Sequence, residues 1–334
     1  MRSKQFALCL VVLPCLVGTF GCESNEDEDV EMIRQALPQK ESLQINGPEA
    51  NADSAATIDA GAAPAEAPYA TFYKFTREVR DGVNTITAWV LGTVWFVVHT
   101  TPTSRGGGQA VWGPYTDSLE PATWRFRVTH VAGYEYDYVL EGRPKESRSD
   151  QDYKTVLSGV GYGKQDDRHG DGSFLVDLDA ARDLDPVAHQ NDSGTISVVH
   201  DLPPTVTEVF APLPRTIQVT LAPSDSAAHL DIMSIAREDH TGVIVVDGIA
   251  DIDESKTTAL EDVTVASQWN SSGAGRSDVT LAGGDIPANL SPVNLVECWD
   301  TRFKQSYYKD SAGIAAQAGD VNACAFTEPA TTKL

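Results

Sequence analysis

The sequence predicts a mainly β body, an antiparallel barrel or strongly curved sheet packed on one buried helix. Three observations lead there. Short runs rich in Val, Thr and aromatic residues recur between breakers, the chain holding 26 Gly and 18 Pro in 334 residues. Several runs alternate apolar and polar side chains with a period of two, as half-buried strands do. The runs follow one another closely enough for antiparallel connection, with no strand–helix alternation to suggest a parallel sheet.

The elements follow in chain order. Arg2 and Lys4 form a positive n-region, and Phe6 to Phe20 form an apolar h-region. That run is too short for a comfortable membrane span, and an acidic segment follows at once. Residues 1–21 therefore read as a cleavable export signal and stand outside the fold. The run ends in Thr19-Phe20-Gly21-Cys22. This resembles the lipobox of bacterial lipoprotein precursors. The resemblance implies diacylglycerol on the Cys22 thiol, cleavage just before it, and fatty acylation (palmitate or a similar chain) of the new amine. Gly21 is the small residue that the signal peptidase would accept. Glu23 after the cysteine resembles the default for outer-membrane sorting where a cell has two membranes. The implied partner is the membrane, through the lipid at Cys22; several acyl chains anchor durably where one short chain does not. The competing reading is ordinary secretion with Cys22 a free thiol, but no Ala-x-Ala site ends the apolar run.

Residues 22–68 are expected to form a lipidated cysteine and a disordered acidic tether. Glu23, Glu26, Asp27, Glu28, Asp29 and Glu31 crowd its start, and Ala, Pro, Asn and Ser fill the remainder. Such a composition buries too little apolar area to offset its ordering entropy. A flexible chain of that length would hold the body roughly 40 Å from its anchor. Val30 to Leu37, VEMIRQAL, has the spacing of a short helix.

Residues 69–334 are expected to be a single β-dominated domain, opening with the aromatic-rich YATFYKFTREV. Val83 to Val98, VNTITAWVLGTVWFVV, is the most apolar stretch outside the signal. Its β-branched residues argue strand, as half of a long central hairpin. Its length, the Asn84 cap candidate and the Pro102 stop argue helix. Being apolar nearly all round, it must be buried. We read it as a helix held inside or against the sheet.

Nine strand runs follow: Trp124–His130, Tyr134–Glu141, Thr155–Tyr162, Ser173–Leu178, Thr195–His200, Thr216–Leu221, Val243–Asp247, Val263–Trp269 and Val279–Ala282. In the first, Trp124, Phe126 and Val128 point one way, and Arg125, Arg127 and Thr129 the other. Val131-Ala132-Gly133 predicts one hairpin turn, and the Ser271–Gly275 stretch another. Closure into a barrel would hide the sheet edges.

Cys9 and Cys15 lie in the signal and Cys22 is the lipid site. Cys298 and Cys324 remain as an even pair, expected to be a disulfide in an exported chain. It would pin a C-terminal segment with few regular signals, contributing roughly 3 kcal/mol in the chain-entropy model.

Charge and motifs narrow the chemistry. Lys and Arg number 25 against 48 Asp and Glu, a net charge of -23, so a nucleic-acid partner is not expected. The histidines His99, His130, His169, His189, His200, His229 and His240 form no zinc spacing. A Gly-x-Ser-x-Gly elbow is absent. Gly159, Gly161 and Gly163 lack the dinucleotide spacing, and Gly163-Lys164 is followed by Gln165, so no phosphate loop forms. The acidic stretch Asp166 to Gly172 reads as a hairpin loop. Asp247 to Ser255 mimics a calcium loop but has Lys256 where that loop needs Gly. Neither a cofactor nor a metal site is expected. The first functional reading is a non-enzymatic cell-envelope lipoprotein, structural or an interaction module. Alternatives are a carrier for an apolar ligand such as a lipid, and an extracellular hydrolase without a sequence signature.

Overall fold

The computed structural model describes residues 30–34, 37–38, 43–49, 67–162, 170–202, 214–252 and 258–330, leaving aside the side chains of residues 89, 93 and 95–98. Among the described residues the body holds fifteen strands and two named α-helices, with a further short helical stretch at 30–34. Helix α1 spans Thr71–Val98 and α2 spans Leu178–Leu184. The strands are β1 Ser104–Gly106, β2 Gln109–Tyr115, β3 Ala122–Ala132, β4 Glu135–Pro144, β5 Lys154–Tyr162, β6 Asp171–Asp177, β7 Thr195–Asp201, β8 Arg215–Ala222, β9 His229–Ala236, β10 Gly242–Ala250, β11 Glu261–Trp269, β12 Gly275–Gly283, β13 Val293–Trp299, β14 Gln305–Asp310 and β15 Ala318–Gly319.

Every strand pairs antiparallel with its neighbours in sequence, giving one sheet in the order β1 to β15. All nine sequence-derived runs fall on strands, with Tyr134 and Leu178 one residue outside theirs, and both expected hairpins form: Ala132 faces Glu135, and Trp269 faces Gly275. The barrel expectation is corrected, because β1 and β15 do not pair and the sheet stays open. Its two end strands hold three residues and two, too little backbone for a closing ladder.

Alternation sorts the side chains. Phe126, Val128, Tyr138, Phe174, Val198, Val219, Val246, Val265, Val279 and Trp299 join one core on the inner face. Tyr73, Val83, Val90, Leu91 and Val94 of α1 belong to the same core. Val83–Val98 is therefore helical, and the hairpin alternative is corrected. The helix starts earlier than the apolar run suggests and is not enclosed all round: Lys74, Arg77, Glu78, Asp81, Thr85 and Gly92 are exposed. A second, small cluster forms where Ala181 and Leu184 of α2 meet Ala122 and Val156. Asp177 starts α2 by accepting the Ala180 N–H at 2.8 Å.

Part of the expected tether also belongs to the body. Val30, Ile33, Leu37, Leu43 and Ile45 are buried in the main core. Residues 30–34 are helical, as the VEMIRQAL spacing suggests. The physical reason is local: Val30 and Ile33 share one face of the short helix, and 43 and 45 line one side of an extended chain. The composition argument averaged these over a polar neighbourhood.

Candidate functional site: the docked helix and its strapped hairpin

The β13–β14 hairpin receives the start of α1. Pro68 accepts the Gln305 N–H at 2.9 Å, and Ala70 donates to the Phe303 carbonyl at 3.0 Å. Two residues later the chain turns helical with no capping side chain of its own. Its first free N–H groups, Thr71 and Phe72, donate to the two Glu297 carboxylate oxygens at 3.0 and 2.6 Å. The Gln305 amide donates to the same carboxylate at 2.7 Å. Helix starts leave N–H groups unpaired and favour negative charge, and here the cap comes from β13. One turn on, the Thr76 hydroxyl bonds the Ser267 hydroxyl at 2.8 Å, which in turn meets Ser277 at 2.6 Å. Tyr73 stacks on Phe303 with ring centres 4.2 Å apart and tilts against Trp299 at 6.1 Å. Further along, Asn84 fixes the 43–49 segment: its amide oxygen accepts the Ile45 N–H at 2.8 Å, and its nitrogen donates to the Ile45 carbonyl at 3.0 Å.

The same hairpin is strapped from its outer face. Cys298 and Cys324 are bonded, with their Cα atoms 5.4 Å apart. Arg276 donates to the carbonyls of Phe326 and Thr327, and Gln268 to that of Glu328 at 2.7 Å. The last strand adds a two-residue ladder, Tyr307 facing Gly319 and Tyr308 facing Ala318. Cys298 is fully buried although its face of the sheet looks outward, because this C-terminal strap covers it. The disulfide thus lies where the sequence placed it. Cys22, with the whole signal segment, lies outside the described residues.

Other polar groups are held by the sheet. Glu141 receives Arg125 at 3.0 Å and Arg127 at 2.9 Å on the outer face. His200 is buried on the inner face, its Nδ1 bonded to the Gly170 carbonyl at 3.0 Å. Burial pushes its imidazole down to about 4, against smaller opposing contributions from the Gly170 bond and Asp171. Asp171 and Asp201, cross-strand partners one row beyond, share a hydrogen bond; desolvation first and that neighbour second raise the Asp201 carboxyl. His130 bonds the Gly133 carbonyl and His189 bonds Asp192, both within their own turns. Of the two acidic loops, residues 163–169 and 253–257 lie outside the described residues. Among the described residues, no group of three or more His, Cys, Asp or Glu side chains is placed to hold a metal ion, and no helix is long and apolar enough to cross a membrane.

Sequence reasoning missed Glu297, and its Asn84 cap is corrected: the helix starts at Thr71, and Asn84 lies within it, holding the 43–49 segment. A signal for Glu297 exists: in VNLVECW it stands on the inward parity of Val293, Leu295 and Trp299, so its carboxylate must find buried donors. Chemically, the arrangement grips one helix and one strap. Comparison with protein-family models, curated proteins and solved structures gives no match to this chain.

Proposed function

We propose that this chain is a non-enzymatic cell-envelope lipoprotein, an interaction module held at the membrane by diacylglycerol on Cys22, in the outer membrane where the cell has one. The observation that carries the reading is Gly21-Cys22 at the end of a basic-then-apolar leader, directly before an acidic stretch. The architecture supports a module rather than a carrier. The inner face of the sheet, where an acyl chain would lie, carries the apolar side chains of α1 in one common core with those of the strands. A sheet packed on one helix and displayed near a bilayer presents its outer face and the exposed side of α1 to partners.

The buried residues from Val30 onward revise how far the body stands from its anchor. Only residues 23–29 separate Cys22 from Val30. That stretch spans at most about 28 Å when fully extended. The module is therefore membrane-proximal, and its acidic surface is held off anionic headgroups by repulsion rather than by a long spacer. The test is Cys22→Ser, expressed in the native host and followed by envelope fractionation. The unprocessed precursor should accumulate, or the protein should leave the membrane fraction. A variant that matures and stays in the envelope as before would remove the anchor.

A further inference from the structure

We propose that the groove between the start of α1, the 43–49 segment and the Asp300–Lys304 turn is a binding site for a small anion with a ring or similar flat apolar body, the anion being a carboxylate or a phosphate. The site stands independently of the lipid anchor. The groove has a volume of about 230 Å³ and is lined by Pro48, Glu49, Tyr73, Arg77, Arg80 and Phe303. It has two kinds of wall. Pro48 and the Tyr73–Phe303 stack supply flat apolar surface, the two rings lying within 5° of parallel. Arg77 and Arg80, one turn apart, supply two guanidinium groups against the single groove carboxylate of Glu49.

Arg80 is held in place before any ligand arrives. Arg80 is 18% exposed in its side chain and is fixed by Asp81, whose carboxylate accepts from Nε at 2.8 Å and Nη2 at 2.7 Å. Gly47 makes room for it: a methyl group there would lie 2.8 Å from the Arg80 Cδ. Arg77, one turn earlier, is exposed. A guanidinium carries five N–H donors in a flat fork, so Arg80 keeps donors beyond these bonds. Asp81 and Glu49 together balance the two guanidinium charges, so the site would recognise one anionic group through directed N–H donors rather than through net charge, and does not suit a polyanion.

Phe303 gives an independent reason. Its φ is +64°, a left-handed conformation that bulky residues rarely adopt. Asp300 enforces it by accepting the N–H groups of Arg302 at 2.8 Å and Lys304 at 2.9 Å. A turn that only had to connect β13 to β14 would be satisfied by Gly or Asn at that position. The strained turn instead sets an aromatic ring on Tyr73 at the groove wall, and such strain concentrates where a fold positions side chains for a task. The net charge of -23 repels anions from the surface as a whole. Saturable anion binding to this protein therefore points to a local site.

The experiment is isothermal titration calorimetry on the full mature chain, with phenyl phosphate as probe. Inorganic phosphate serves as the charge-only arm and benzyl alcohol as the ring-only arm. Phenyl phosphate should bind one site, at least about tenfold tighter than either half probe. Arg77→Gln, which removes an exposed side chain, should weaken it about tenfold, and the Arg77→Gln/Arg80→Gln pair should abolish it. Arg148→Gln, at an exposed position elsewhere, should leave it unchanged. The absence of saturable heat up to about 10 mM, or equal affinity in the folded Arg77→Gln variant, overturns the site. Either result is read on protein with or without its lipid, so it leaves the anchor proposal standing or falling by its own test.

Discussion

Two side chains on the inner face, His200 and Glu297, set polar chemistry inside an apolar core. His200 yields a pH prediction. Its folded imidazole is pushed down to about 4 from 6.5, so the folded state holds it neutral while the unfolded chain takes up a proton more readily. The contribution is fully present above pH 6.5 and is lost as pH falls from there toward 4. The loss amounts to roughly 3 kcal/mol by pH 4. Carboxyl groups also titrate in this window, so the test is a difference. Denaturant unfolding of the wild type and of His200→Gln, at pH 7 and pH 4, should show the gap between them change by that amount in favour of the variant at low pH. An unchanged gap would place His200 in contact with water. The burial of His200 was legible in the sequence, since it continues the inward parity of Ile196 and Val198. Its bond to Gly170, thirty residues back, was not, because it depends on which strand pairs with β7.

Individual elements are set by pairs across strands. Four aromatic rings lie over a register-paired glycine on the next strand: Trp124 over Gly142, Tyr138 over Gly159, Trp269 over Gly242 and Trp299 over Gly275. Glycine inside a strand normally weakens it; here each ring fills the space where a side chain would stand. At Gly275 an added methyl would lie 2.2 Å from the Trp299 ring. Gly275→Ala should therefore cost at least about 1–3 kcal/mol by overpacking, read as a lowered thermal midpoint, and an unchanged midpoint would refute the pairing. The strands legible in advance were those with clean alternation. Four of the six missed had a local reason: β1 and β15 are very short, β2 carries Gly113-Pro114, and β13 sets Glu297 in the middle of its apolar face. For α1 the opposing signals in Val83–Val98 cancelled locally. The start of α1 at Thr71 is tertiary in origin, with a cap supplied by Glu297 more than two hundred residues away.

At the scale of the molecule, composition predicted a β-rich body correctly and its outline less well. An average over residues 22–68 hid a handful of buried apolar positions, and edge management by closure gave way to very short end strands. The picture that results is a fifteen-strand open sheet, with α1 on its inner face and a disulfide-bonded strap on its outer face. Among the described residues, those buried in the core start at Val30, a few residues after the proposed anchor. Of the candidate site, the Cys298–Cys324 bond was readable from the even pair of cysteines in the body; the groove was not, since it joins segments brought together only by folding. One measurement bears most directly on the whole account: the intact mass of the protein extracted from the native envelope. The account predicts a chain beginning at Cys22, heavier than its sequence by a diacylglyceryl group and an amide-linked fatty acid, and two hydrogens lighter for the disulfide. An unacylated mass, or a chain cleaved elsewhere, would contradict it.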